Sequence, residues 1–444
     1  ARQRIGPAPR GGPLPLSLAQ RRLWLHEKLH APSAVYNLPA AWQLSGALER
    51  GALVQSLSEI VRRHELLRTT FAEIDAQPVQ IVHPPATVPV PVHDLRKLTD
   101  AERPGALREL LAGEIRRPFE LARGPLLRAL LLRLTDDESV LLLTFHHIVT
   151  DGWSIGLFFR ELAALYGAYA AGAPSPLAEL PIQYADFAAW QERQVQGAEL
   201  ARLVSYWHRQ LAAVPPLIEL PTSRPRPAVQ TFHGATATAA IDSHLTEQLR
   251  ALGRKADATL FMTLLGAFKV LLFRISGQED LLVASPSAGR TAQEAEPLIG
   301  FFVNTLVLRT RLCGALSFLE VLSQVRQTAI DAFAHQELPF ERLVQDLLPR
   351  RELGHAPLAQ VSFAAAAEPT PGLQLAGLRI RPIELELESV HWDLSLEIEQ
   401  APSGMKVGCE YRTDLFDSQT IHGLLRSYEA LLAGIVAAPQ RPIA

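Results

Sequence analysis

Cysteine is nearly absent: Cys313 and Cys409 are the only two in 444 residues, and they lie far apart. That spacing offers no zinc-ligand cluster and no disulfide framework, so a reducing cytoplasm is the expected compartment. No apolar run reaches the roughly 18 residues that a membrane span needs. A basic excess is lacking as well. Charged residues make up 20% and the formal net charge is -3, which argues against a nucleic-acid partner. Residues 1–13 are basic and rich in Pro and Gly but have no apolar centre, so they read as a linker rather than a signal peptide. There is no short-period repeat, no Gly-rich phosphate loop and no cluster of metal ligands. Neither a metal nor a bound cofactor is expected.

What is present is enough apolar sequence for more than one core. Hydrophobic residues are 48% of the chain, and this length suits two lobes of roughly 200 residues each. Small residues and Pro accumulate at 171–176, where the lobe boundary is expected, giving lobes 14–175 and 176–444. Residues 54–63 carry Val54, Leu57, Ile60 and Val61 on one helical face. The run 139–145 reads as a buried strand, and 154–172 as an amphipathic helix with Phe158, Leu162 and Leu165 on one side. In the second half, 259–273 and 318–334 read as helices, and 280–284 and 303–312 as strands. Helices and strands alternate in both halves, so an α/β layered fold is expected. The chain starts at Ala1 without Met and ends Arg441-Pro442-Ile443-Ala444; both ends are expected to be cuts within a longer polypeptide.

The most informative segment is His146-His147-Ile148-Val149-Thr150-Asp151-Gly152-Trp153-Ser154, the one adjacent pair among 14 histidines. It stands where the buried strand gives way to a loop and then a helix, a junction that commonly presents catalytic side chains. A histidine there is a candidate general base, because its ordinary pKa of about 6.5 lies near working pH. A structural His pair is the competing reading. A metal site is disfavoured, since no Cys, Glu or third His completes a ligand set. Adjacent side chains on an extended strand point to opposite faces, so one His should face a cavity and the other the packed interior. Asp151 is better placed to pin the loop or pair with a buried Arg than to accept a proton. Gly152 permits a positive φ or a close backbone approach.

Here the sequence resembles the condensation domains of nonribosomal peptide synthetases. Their signature His-His-x-x-x-Asp-Gly stands intact at His146, His147, Asp151 and Gly152. Five further motifs match in order: residues 17–25 opening with Ser17-Leu18-Ala19-Gln20, 63–71 opening with Arg63-His64-Glu65, Tyr184 to Gln191, Ile299 to Thr305, and His335 to Glu341. Two stretches depart from the pattern. Residues 351–358 lack a Ser, and His391-Trp392-Asp393-Leu394 stands where Lys-Phe-Asp-Leu is usual.

The resemblance implies a V-shaped pseudo-dimer of two chloramphenicol-acetyltransferase-like lobes with a tunnel between them. It implies peptide-bond formation between a donor thioester and an acceptor α-amine. Both would arrive on phosphopantetheine arms, one from an upstream donor carrier protein and one from a downstream acceptor carrier beside an adenylation domain. His147 is the expected base, anchor or intermediate stabiliser, and Gly152 offers its N–H near the reacting centre. His146, Asp151 and Arg290 are expected to be structural, with Asp151 and Arg290 paired. Trp153 is expected to pack on the core or gate the tunnel. Ser154, Asn304, Arg68 and His391 are candidate tunnel-lining residues. The excised domain is expected to be monomeric, with no nucleic acid or membrane partner. An epimerase of the same superfamily usually continues Asp-Gly-x-Ser-Trp-Arg, whereas here Trp153-Ser154-Ile155-Gly156 follows. A heterocyclase would carry Asp in place of the histidines, and a dual epimerase–condensation domain an extra His-rich motif near its start. A non-catalytic recruitment module would be free to lose the motif. A free-standing acyl-CoA acyltransferase fits the cut-like ends less well.

Overall fold

The computed structural model describes residues 4–29, 33–194, 196–213, 217–347, 355–366, 372–385, 390–401 and 403–444. The chain divides into two compact units. The first comprises Ala1–Gln196, Ala288–Val303 and Pro371–Leu385; the second comprises Gly197–Ser287, Asn304–Thr370 and Glu386–Ala444. Each is an α/β unit built on a mixed sheet. Among the described residues no single helix is long and apolar enough to cross a membrane, and no group of three His, Cys, Asp or Glu is placed to hold a metal.

In the first unit a five-stranded sheet runs in the order Arg379–Ile383, Asn37–Ser45, Glu138–His146, Leu127–Arg133, Val92–Asp94. Glu138–His146 lies at its centre, antiparallel to both neighbours. The central strand is apolar without alternation because both faces are covered. Leu141, Leu143 and Phe145 join the core that holds Phe158, Leu162 and Leu165 of the helix Gly152–Ala170. Val140 and Leu142 turn the other way, towards Leu95 and Leu111, the latter on the helix Arg103–Ile115. The helix Arg50–Arg63 packs beside Gly152–Ala170, and a small sheet of Leu14–Pro15, Gln77–Val82 and Thr69–Ile74 completes the unit.

The second unit has one six-stranded sheet, ordered Asn304–Arg311, Asp280–Ser287, Val361–Ala365, Leu394–Ala401, Gly404–Arg412, Gly234–Asp242. Its core gathers strand residues such as Val283, Leu308, Phe363, Leu396 and Val407 with Leu249, Phe268, Leu322 and Tyr428 from four helices. Those helices are Ser243–Lys255, Leu260–Ser276, Phe318–Ala334 and Ser418–Ala437. The expected helix 318–334 starts at Phe318 because Ser317 and Glu320 form a reciprocal cap, Ser317 N donating to Glu320 Oε2 at 2.7 Å and Glu320 N to Ser317 Oγ at 3.3 Å.

The division of the chain differs from the boundary expected at 175–176. The helix Tyr184–Gln194 belongs to the first unit, and the segments 288–303 and 371–385 return to it from the second half of the sequence. The expected linker 1–13 is also docked from residue 4 onward. Ile5 is buried in the first unit's core, Ala8 N donates to Asp186 Oδ1 at 2.8 Å, and Arg10 reaches the same oxygen at 2.6 Å. An apolar side chain and a cation with a buried partner outweigh the Pro- and Gly-rich composition.

Candidate active site

The central strand delivers the His pair and the chain turns at once. His146 N donates to Leu126 O at 3.0 Å as the strand ends. His147–Val149 form one tight turn, His147 N donates to Tyr36 O at 2.9 Å, and Asp151 caps the helix Gly152–Ala170. The two imidazoles therefore meet different surroundings.

His146 is 1% exposed. Its Nδ1 accepts from Ile148 N at 3.1 Å, so its proton sits on Nε2, facing Glu27 Oε1 at 3.9 Å. Neither of those two buried atoms has a hydrogen-bond partner. Burial pushes the His146 pKa down against the opposing pull of Glu27. His147 is half-buried. Its Nδ1 lies 2.7 Å from Thr150 O. A carbonyl only accepts, so Nδ1 carries the proton and Nε2 keeps its lone pair. That lone pair has no protein partner among the described residues. Burial lowers the His147 pKa more than the Thr150 carbonyl and Asp151 raise it. The ring is thus a neutral base near neutral pH, steadied by the edge of Phe301 at 4.7 Å between ring centroids.

Asp151 makes no hydrogen bond to this ring. Its Oδ1 accepts from Ser154 N at 2.8 Å and its Oδ2 from Phe302 N at 2.9 Å. Arg290 Nη2 stands 3.4 Å from Oδ1, both side chains being almost fully buried. Arg290 also donates to Ser154 Oγ at 2.7 Å, Ala295 O at 2.5 Å and Leu298 O at 2.8 Å. Its guanidinium lies 4.0 Å over the ring of Phe302. The carboxylate thus ties the helix start to the segment 288–303. Each of its close contacts is a backbone N–H or a cation, so the carboxylate serves as an anchor for this turn.

Sequence reasoning assigned no role to several residues that hold this arrangement. Gly289 has φ 65°, and a Cβ there would meet Phe302 O at 1.9 Å. Gly300 lies equally close to Tyr184, at 2.0 Å from such a Cβ. Tyr184 Oη donates to Phe301 O at 2.5 Å and stands 2.8 Å from Ser17 Oγ. Gln20 Nε2 donates to Ile148 O at 3.1 Å, holding the His turn from the opening motif. His64 Nδ1 accepts from Ile299 N at 3.3 Å while its Nε2 donates to Glu161 Oε2 at 3.1 Å, a carboxylate also held by Arg63 at 3.2 Å. Most of these residues lie within the sequence motifs, which was the available signal. Their spatial targets, on distant segments, had none.

The remaining expectations divide. Gly152 has neither a positive φ nor a close neighbour, because it is the first helical residue and a Cβ there meets nothing within 4 Å. Its N–H, one of the helix's orphan donors, has no acceptor among the described residues. Trp153 does not pack on the core; it is 49% exposed, with Nε1 donating to Glu296 O at 3.3 Å. Ser154 is buried rather than lining an open space, its Oγ donating to Gly300 O at 2.8 Å and accepting from Gly300 N at 3.0 Å. Asn304 is saturated within the second unit, its amide donating to Gln336 O at 2.7 Å and Leu338 O at 2.8 Å and its carbonyl accepting from Phe340 N at 3.0 Å. Arg68 donates to His83 O beside the small sheet. His391 lies in the second unit, with its ring 6.2 Å from Phe232 and its carbonyl accepting from Gln230. In the two departing stretches, residues 351–354 lie outside the described residues. Asp393 is buried between Arg412 at 3.1 Å and Arg226 at 2.5 Å.

Comparison with known proteins follows the same segments. The family described as Condensation domain matches residues 12–444. A component of the linear gramicidin synthase of Brevibacillus parabrevis is 47% identical over 439 residues, which are 98% of this chain and 6% of that protein. The chain thus spans a small part of that relative's length. Among solved structures, the X-domain from teicoplanin biosynthesis, in its complex with OxyB, superposes with a TM-score of 0.87 at 28% identity, over 100% of this chain and 97% of that one. The first condensation domain of the CDA synthetase shares the fold, with a TM-score of 0.81 at 23% identity over 98% of each chain.

Proposed function

We propose, from the premise that this chain belongs to the condensation-domain family, that it joins a donor acyl thioester to the α-amine of an acceptor aminoacyl thioester. Both substrates arrive on phosphopantetheine arms of carrier domains, within an assembly line that also holds an adenylation domain. The domain binds no cofactor of its own. The observation that carries the reading is His147, with Nδ1–H fixed on Thr150 O and Nε2 free to accept.

An α-amine has a pKa of about 7.7–8.0, so a useful fraction is neutral near physiological pH. It attacks the thioester carbonyl and forms a C–N bond. His147 Nε2 takes the proton that the nitrogen sheds. The carbonyl oxygen gains negative charge, and the unpaired N–H of Gly152 at a helix N-terminus is a donor of the right kind to stabilise it. Collapse of the intermediate breaks the C–S bond, and the proton on His147 passes to the departing sulfur. The products are an amide and a free thiol. Positioning supplies the larger part of the rate, roughly 7–11 kcal/mol where two reactants are held in register. A general base adds roughly a hundred- to ten-thousand-fold.

A second reading has one observation behind it. The teicoplanin X-domain of similar fold was solved in complex with OxyB, so this fold can serve as a docking surface. One experiment separates the readings. Donor and acceptor carriers are loaded separately, the chain is added, and the acceptor is read by intact mass. A gain equal to the donor acyl group supports condensation, and His147→Ala, folded as judged by thermal unfolding, should lower the rate by about a hundred- to ten-thousand-fold. Near-normal turnover of that variant overturns the role of His147. No transfer by the parent chain, or deuterium uptake at the donor α-carbon without transfer, overturns condensation in favour of docking or epimerisation respectively.

A further inference from the structure

The second unit carries a cavity of about 320 Å³ that the proposed reaction does not use. Its floor and walls are apolar: Phe261 and Leu264 from one helix, Ile398 and Met405 from two adjacent strands. Charge is confined to one side. Arg250 and Arg254 stand one turn apart on the helix Ser243–Lys255, and the helix Leu260–Ser276 begins at the same rim behind its cap, Thr259. This volume lies within the range of small-ligand sites, and an apolar wall with a few convergent polar groups is their usual composition.

The cationic groups have unused capacity. Arg250 Nη2 donates to Gln400 Oε1, but its Nε is enclosed and has no hydrogen-bond acceptor. The nearest carboxylate, Glu247, is 3.6 Å from that Nε and largely exposed, so solvent screens it. Arg254 has no side-chain acceptor among the described residues. Thr259 Oγ1 accepts from Met262 N at 3.2 Å, which leaves the N–H groups of Leu260 and Phe261 as orphan donors aligned with the helix dipole.

We propose that this cavity binds a carboxylate bearing a short apolar tail. The head would sit between the two guanidiniums and the helix start, and the tail would lie against Leu264, Ile398 and Met405. A planar carboxylate matches the forked donors of Arg and needs few partners. A phosphate dianion would bring a second charge out of water into a cavity whose other walls are apolar, at a larger desolvation cost. A neutral hydrocarbon would leave the arginines unused.

The test uses octanoate as probe, with octanamide and octyl phosphate as controls, and titration calorimetry on the full chain. Binding is read without turnover, so the outcome is independent of the condensation assay. Octanoate should bind with one site per chain, and octanamide at least about tenfold more weakly, the loss expected of one charge-assisted hydrogen bond. Arg254→Gln, at an exposed position, should weaken octanoate by about tenfold and leave octanamide unchanged. Ala365→Leu, which adds bulk to the cavity wall, should weaken both alike. Equal binding of octanoate and octanamide, no effect of Arg254→Gln, or no binding of octanoate at millimolar concentration overturns the proposal. Octyl phosphate binding more tightly than octanoate overturns the choice of head group.

Discussion

Replacing Asp151 by Ala separates a structural carboxylate from a catalytic one. The substitution removes the helix cap on Ser154 N, worth about 1 kcal/mol, and strands the buried Arg290. Breaking one partner of a buried ion pair costs about 3–5 kcal/mol. Here the lower end applies, because Arg290 keeps Ser154 Oγ, Ala295 O and Leu298 O as acceptors. The buried Phe302 N–H also loses its acceptor, about 1 kcal/mol more, and a total near 5 kcal/mol lowers the melting temperature of a unit of roughly 200 residues by about 10–20 °C. His147→Ala removes one hydrogen bond to Thr150 O and should cost about 1 kcal/mol, or 2–4 °C. Asp151→Asn keeps a cap acceptor but opposes an amide to Phe302 N or Arg290, and should fall between the two. The assay is thermal unfolding by circular dichroism beside turnover on loaded carriers. The double variant Asp151→Ala with Arg290→Ala should lose less stability than the sum of the singles, because the stranded charge is gone. Equal melting temperatures for Asp151→Ala and His147→Ala, or strict additivity with Arg290→Ala, would refute a structural Asp151.

What the sequence made legible were the features set by local chemistry. The strand through Val140 and Phe145 reads from apolar residues alone, and two-sided burial explains its lack of alternation. The long helix 318–334 reads from its apolar period, and its cap is Ser317 with Glu320. The opposite environments of His146 and His147 match the expectation of opposite faces, but they arise because the strand ends at His146 and His147 opens the turn 147–149, not from alternation along a strand. Contacts between distant segments were not legible. That 288–303 joins the first unit rests on Phe302 N meeting Asp151 and Gly300 meeting Ser154, bonds across about 150 positions of sequence, of which no local pattern gives notice. Asn304 reads equally well as a lining residue or a structural one until its three partners around residues 336–340 are known. The tautomer of His147 depends on a carbonyl three residues ahead, and its direction is a property of the turn, not of the letters.

Three further outcomes are expected. Gly289→Ala forces a Cβ against Phe302 O in left-handed backbone, and should reduce both melting temperature and turnover; a variant as stable as the parent would show that the 288–303 segment can shift without cost. Once the rate with saturating loaded carriers is divided by the neutral fraction of the acceptor amine, which itself titrates at about 7.7–8.0, it should fall on the acid side with a midpoint below 6.5, because burial lowers the His147 pKa from that value and protonation removes the Nε2 lone pair; a corrected midpoint above 7 would contradict the assignment. The last concerns Lys269, fully buried in the second unit with Nζ donating to Leu308 O at 2.8 Å and Thr310 Oγ1 at 2.6 Å. Burial pushes its pKa down from 10.5 to about 7, with Asp280 opposing. The unfolded chain holds this proton more tightly, so Lys269 adds a stability that is present above 10.5 and lost as pH falls towards 7. The full interval corresponds to at most roughly 5 kcal/mol. Lys269→Met keeps most of the volume and removes the charge, at a cost of about 1 kcal/mol for the two acceptors left without a donor. At pH 6.5 the variant should therefore unfold at higher denaturant than the parent, and the difference should shrink and reverse towards pH 10. Taking the difference between parent and variant cancels the titration of every other group. A gap that stays constant from pH 6.5 to 10 would mean that the ammonium is not penalised by burial, and that its two hydrogen bonds meet the full cost of holding it inside.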